Sequence, residues 1–183
     1  MNICFLDIET TGIDVVDDDV VQLGAILVDE ELRILKEFTS LIKPFTGRQS
    51  NTIARAIHGI SDKLLLQSPT ETEVLNKFFQ DFGTDYFFCG WNLNFDLAFF
   101  RKMCHRNNLN EIFNRINHRH LDLQSISKFS KMVKVLPDNL NSLQDYCTYY
   151  RIQRMEKHDA LQDAYITRKV LQAFLKDFIM KFH

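Results

Sequence analysis

The sequence predicts an α/β protein with a mixed five-stranded sheet flanked by helices. Two patterns carry this. Three β-type apolar runs come first, within residues 2–42, joined by short connections. Segments of helical period then alternate with two further short runs. Strands followed by strand–helix alternation place helices on the faces of a sheet that is partly antiparallel and partly parallel. The 183 residues, with a hydrophobic fraction of 45% and 16 Phe, are enough to bury a sizeable core as a single domain spanning residues 1–183.

Asn2 to Leu6 is a continuous apolar run and predicts a buried strand. Thr11-Gly12 and the acidic stretch from Asp14 to Asp19 form the turn after it. Val20 to Val28, rich in β-branched residues, predicts a second strand. Ile34 to Ile42 predicts a third, stopped by Pro44. Thr70 with Glu73 three residues later is a capping box, opening a helix through Val74, Leu75, Phe78, Phe79 and Phe82. Tyr86 to Trp91 predicts a fourth strand. Asn94 to Arg106 predicts a helix with Leu97, Phe100, Met103 and Cys104 on one face. His120 to Leu123 predicts a fifth strand, and Ser142 with Asp145 opens a helix to about Tyr150. Asp159 is an N-cap with Gln162 at N3, starting a final amphipathic helix through Val170, Leu171, Phe174, Leu175, Phe178 and Phe182.

No apolar run approaches the roughly 20 residues of a membrane span. The first strand already carries Asp7 and Glu9, leaving no room for a signal peptide. Cys4, Cys89, Cys104 and Cys147 lack CxxC spacing and fall in apolar neighbourhoods, so reduced core residues are expected. An intracellular, cytoplasmic setting is the matching expectation. The formal net charge of −2 advertises no broad basic surface for nucleic acid. A metal-loaded site would supply its own positive charge.

The chemistry sits in three acidic motifs. Asp7 and Glu9 lie in Phe5-Leu6-Asp7-Ile8-Glu9-Thr10-Thr11-Gly12. Asp96 closes Gly90-Trp91-Asn92-Leu93-Asn94-Phe95-Asp96, and His158 precedes Asp163 in His158-Asp159-Ala160-Leu161-Gln162-Asp163. Two residues apart on a strand, Asp7 and Glu9 point to one face. Such a pair repels unless a cation neutralises it, and oxygen ligands favour Mg²⁺ or Mn²⁺ over zinc. Asp at a strand end or helix start is commonly only a turn or cap residue, and Asp159 is given that role alone. His158 by itself is an ordinary loop histidine; beside four carboxylates it becomes a candidate general base.

These motifs, in this order, resemble the DnaQ-like 3′–5′ exonucleases of the DEDDh type, a family that includes the proofreading exonuclease domains of bacterial DNA polymerases. Asp7-Ile8-Glu9-Thr10-Thr11-Gly12 is similar to the first family motif, Asn92 to Asp96 to the second (Asn-x-x-Phe-Asp), and His158 with Asp163 to the third. Val20 to Ala25, Ile57-His58-Gly59-Ile60-Ser61 and Asn141-Ser142-Leu143 extend the resemblance over nearly the whole chain. Trp91 stands where many members have His, and Gln22 where many have Glu. The chain ends soon after the last motif helix, where the polymerase-associated members carry a polymerase-binding tail, so that role is not expected of these residues.

The resemblance implies a ribonuclease-H-like fold and a phosphodiester hydrolase with two divalent ions, Mg²⁺ or Mn²⁺. Asp7, Glu9, Asp96 and Asp163 would hold the metals, with Asp7 bridging them, and His158 would act as base. The implied substrates are 3′ ends of single-stranded DNA or RNA, giving 5′-mononucleotides. The implied substrate contacts are Ile8, Thr10, Thr11, Gly12, Ile57, His58, Asn92 and Phe95; Phe95 is equally a packing residue, and Trp91 chiefly one. A homodimer or association with a polymerase is the protein partnership the resemblance allows. Replication, repair and RNA processing all remain open. A non-catalytic nucleic-acid-binding or polymerase-associated module on the same fold is the competing expectation, disfavoured because all five reactive positions are present.

Overall fold

A computed structural model of the chain describes residues 1–154 and 158–182. In chain order the elements are β1 (Asn2–Thr10), β2 (Val20–Val28), β3 (Ile34–Leu41), α1 (Thr52–His58), α2 (Asp62–Leu66), α3 (Glu71–Phe82), β4 (Tyr86–Gly90), α4 (Leu93–Arg106), α5 (Asn110–Phe113), β5 (Asn117–Asp122), α6 (Leu123–Met132), α7 (Leu143–Tyr149) and α8 (Ala160–Phe182). The sheet runs β3-β2-β1-β4-β5. β1 pairs antiparallel with β2 and parallel with β4; β2–β3 is antiparallel and β4–β5 parallel. This is the expected mixed five-stranded α/β sheet.

Side-chain alternation along β1 splits the core in two. Cys4, Leu6 and Ile8 pack with the phenylalanines of α3 and α4, where Phe78 meets Phe38, Phe79, Phe82 and Phe100. Ile3 and Phe5 face the other way, against Tyr146 of α7 and Val170 and Phe174 of α8. Continuing that second parity by two and four residues gives Asp7 and Glu9. The strand therefore carries its two acids onto the α8 side, at the carboxyl end of the sheet, where α/β proteins generally bind ligands.

β1 extends to Thr10, four residues beyond the expected Leu6, because β2 pairs with it through Asp7 and Glu9. The capping boxes Thr70/Glu73 and Ser142/Asp145 both form. The fifth strand begins at Asn117, earlier than expected. Helices α1, α2, α5 and α6 were not expected from the sequence. All four cysteines are free and buried. No helix of the described residues is long and apolar enough to cross a membrane.

Gly24 sets how closely α8 approaches the sheet. It is the β2 partner of Asp7, and a Cβ there would collide with the backbone of Ala160 and Leu161. The absence of a side chain lets the start of α8 lie on the strand, which brings Asp163 over β1. Gly24→Ala is expected to destabilise the fold by roughly 1–3 kcal/mol, read by urea unfolding. Unchanged stability would show that α8 does not rest on this contact.

Candidate active site

Each acid is placed by a different device. Asp7 and Glu9 ride on β1. Asp96 sits in the first turn of α4, where the helix dipole favours an acid, and its Oδ1 accepts a 3.1 Å hydrogen bond from the Ile8 amide between the two β1 acids. α4 starts abruptly after β4 because Asn92 takes a left-handed conformation (φ 57°), which Asn tolerates better than most residues. Asp163 sits in the first turn of α8. Gln22 of β2 fixes that helix start: its Nε2 donates to Asp159 Oδ2 (2.8 Å), and its Oε1 accepts from the Ala160 amide (3.2 Å). Asp159 Oδ1 accepts from the Gln162 amide at 3.0 Å, as expected of a cap.

Four carboxylates thus converge, and the electrostatics is unfavourable without a cation. Burial, then Asp96, Asp163 and Glu9, push Asp7 well above the usual carboxyl range. Burial, then Asp163 and Asp159, raise Glu9 from 4.5 to about 8. Asp96 is raised by burial despite its bond from Ile8. The donor set fits a hard divalent ion: it is carboxylate oxygen, with one imidazole beside it. Ligand atoms of Glu9, His158 and Asp163 lie within 4.8 Å of one another.

Arg154 is the cation present. Its Nε donates to Asp163 Oδ1 (2.9 Å) and its Nη2 to Asp163 Oδ2 (2.6 Å), a forked pair with both side chains at most 10% exposed. Nη2 also lies 3.2 Å from His158 Nε2. A guanidinium only donates, so Nε2 accepts and the His158 proton belongs on Nδ1, which is 3.6 Å from Asp163 Oδ2. Burial first, then Arg154, lower the His158 pKa from 6.5. The ring is therefore neutral near pH 7. Its backbone amide donates to Ile57 O at 3.2 Å, tying this segment to α1.

Above the acids opens a cleft of about 530 Å³. Ile8, Thr10, Gly12, Ile57, His58, Asn92 and Phe95 line it, as do all four acids and His158. Thr11 does not. It is fully buried, its amide donates to Asp19 O, and its carbonyl accepts from the Asn51 amide. Its hydroxyl donates to Asp18 (2.9 Å) and accepts from the Asp19 amide (3.0 Å). Thr11 is thus not brought to the cleft with the other expected contacts, and its polar groups hold the loop that follows β1. At Gly12 a Cβ would fall 2.7 Å from Asn51 Nδ2 and collide with the Asp18 carboxylate, so a side chain there would push both groups aside.

Residues 4–171 match the RNase T family, described as exonuclease. The chain belongs to this exonuclease family. It is 27% identical over 182 residues to DNA polymerase III subunit epsilon of Buchnera aphidicola subsp. Schizaphis graminum, covering 92% of this chain and 72% of the relative. It is 28% identical over 172 residues to the PolC-type DNA polymerase III of Pediococcus pentosaceus, covering 93% of this chain but spanning only 11% of that relative. E. coli exonuclease I in complex with a dT13 oligonucleotide has the same fold, with TM-score 0.81 at 20% identity over 98% of this chain and 43% of that one. The fold is therefore ribonuclease-H-like.

Within this site, Trp91 both packs and lines the cleft, its ring 5.2 Å from that of Tyr146. Phe95 likewise shares its surface between the cleft and Phe99, 5.0 Å away between ring centroids. His58 is buried, with Nδ1 accepting from the Ile60 amide at 2.9 Å. That leaves its proton on Nε2, a buried donor with no partner among the described residues. Sequence reasoning missed Arg154 and the start of α7, where Ser142, Leu143 and Gln144 line the cleft. The available signal for Arg154 was the surplus of acids, which called for a cation.

The raised acids fix the sign of a pH effect. Between 4.5 and about 8, Glu9 holds its proton in the folded chain and loses it in the unfolded one, so stability falls as pH rises. Asp7 and Asp96 act in the same direction. Below 6.5 the lowered pKa values of His58 and His158 oppose the trend. In EDTA, the melting temperature is expected to rise as pH is lowered from 8 to 6.5. A calorimetric melting temperature that falls over this interval would contradict the assignment.

Proposed function

We propose that residues 1–183 form one metal-dependent 3′–5′ exonuclease domain of the DEDDh type. It would remove 5′-mononucleotides from the 3′ ends of single-stranded DNA or RNA. The observation that carries this reading is the convergence of Asp7, Glu9, Asp96 and Asp163, with raised pKa values at the first three, beneath a neutral His158. The 3′–5′ polarity rests on kinship with the polymerase III exonuclease segments. Single-stranded substrate is supported by the oligonucleotide complexes of exonuclease I.

Asp7, Glu9, Asp96 and Asp163 would hold two ions, Mg²⁺ or Mn²⁺. Bound there, such ions stabilise the attacking and leaving oxygens of an in-line displacement. His158, neutral near pH 7, takes the proton of the attacking water at Nε2. Asp163, beside Nδ1, stabilises the imidazolium that results. The apolar walls, Ile57 and Phe95 among them, suit stacking of a terminal base, which tolerates any base. His58 Nε2 and Asn92 supply hydrogen bonds to the same nucleotide. The exposed side chains Ile13 and Ile53 widen the apolar wall at the rim.

On 5′-labelled single-stranded DNA and RNA, a one-nucleotide ladder is expected with Mg²⁺ or Mn²⁺ and none in EDTA. Asp7→Asn should lower the rate by roughly 10²–10³-fold or more. Activity that survives EDTA or this substitution sinks the proposal. His158→Ala should lose about 10²–10⁴-fold in rate while still binding Mn²⁺. Loss of Mn²⁺ binding, read by calorimetry, would instead make His158 a ligand.

A further inference from the structure

Arg154 occupies the atoms that the proposed chemistry needs free. Its fork engages both oxygens of Asp163, and the same Nη2 faces His158 Nε2, the nitrogen that would take the proton. The guanidinium also acts favourably on Asp7 and Glu9. It cannot leave as a neutral group, because arginine does not deprotonate in proteins. Release therefore means a physical exchange of one cation for another.

We propose that Arg154 is an exchangeable counter-ion of the metal site. In the metal-free protein it neutralises Asp163 and closes off His158 Nε2. A divalent ion arriving at Asp163 displaces the fork, which frees the imidazole and assembles the site. Arg154 thereby sets the cation concentration at which the site fills and couples metal loading to availability of the base. This rests on the metal-dependent reading above.

The geometry supports exchange over a purely structural ion pair. Among the described residues, the Asp163 carboxylate accepts side-chain hydrogen bonds from Arg154 alone, one at each oxygen. A second buried fork among the described residues, Arg106 with Glu71, differs. There Arg106 also bonds Asp19 (2.9 Å), and Glu71 also accepts from Asn107 (3.0 Å), so the pair joins α3, α4 and the loop after β1. Among the described residues, Arg154 hydrogen-bonds Asp163 and faces His158, both within the site.

The test is Mn²⁺ binding, followed by electron paramagnetic resonance of the free ion, without substrate or turnover. R154Q is expected to bind Mn²⁺ at least about tenfold more tightly than the wild type, since its acids lack the competing cation. R154K keeps the charge but loses the fork and should fall between the two. D7N should weaken binding in each background, placing the ion among the carboxylates. In EDTA, R154Q should melt below the wild type and gain more from Mn²⁺. Circular dichroism checks its folding; should R154Q fail to fold, R154K decides. Equal affinity in wild type, R154Q and R154K overturns the exchange while leaving the metal site standing. Tighter binding by R154Q with R154K identical to wild type also overturns it, because net charge alone then sets affinity. Absence of Mn²⁺ binding in all three overturns the metal-dependent reading, and the exchange with it.

Discussion

Four carboxylates gathered at one largely buried point repel one another, and each loses hydration that water would otherwise supply. Such an arrangement persists only if the surrounding fold over-determines it or a cation compensates it. In this protein both hold. The acids are carried on a central strand and two helix starts, elements whose own packing does not depend on the charges. Phe5 and Ile3 anchor β1, the phenylalanine cluster anchors α4, and Tyr146 and Phe174 anchor the α8 side. The unfavourable energy of the site is thus set against a large apolar core.

The same molecule shows what a buried acid looks like when it is structural. Asp19 is fully buried, yet Thr46 donates to it through both its amide and its hydroxyl, and Arg106 donates as well. Burial alone would raise its pKa; those donors outweigh it and leave Asp19 below the usual range. Arg106 reaches on to Glu71 and lies over the Phe45 ring, 4.2 Å from its centroid. This network ties down the loop that buries Thr11 and brings Gly12 to the cleft. Among the described residues, Asp7 and Glu9 have no comparable set of donors, and they move the opposite way. Satisfied acids hold the scaffold, and unsatisfied ones await a cation.

Much of the fold was legible because it follows from simple periodicities. The apolar runs of β2 and β3, the capping boxes of α3 and α7 and the amphipathic face of α8 all state their element locally. β1 was underestimated because Asp7 and Glu9 interrupt its apolar run, although their placement depends on the strand continuing. α1 buries only His58, and α6 buries Ser127 and Ser130 beside Leu123. The apolar residues of α1, Ile53 and Ile57, stay exposed, while α6 carries a short apolar stripe in which buried Leu123 and partly buried Ile126 share the inward face with the two serines. Gly24 gives no local sign of its purpose either, since the helix it admits lies about 136 residues further along the chain.

The sequence by itself determined which groups could do chemistry. Residue type and spacing put two acids on one face of a strand, a third at a strand end and a fourth after a histidine, because alternation and capping are local rules. Only the tertiary structure decided what those groups meet. Thr11 proved to be a committed loop residue, Gln22 the clamp on α8, and Arg154 the partner of Asp163 and His158. Those contacts join segments that are distant in the chain or lack any periodicity. They arise from packing and charge balance across the whole molecule, which no local pattern encodes.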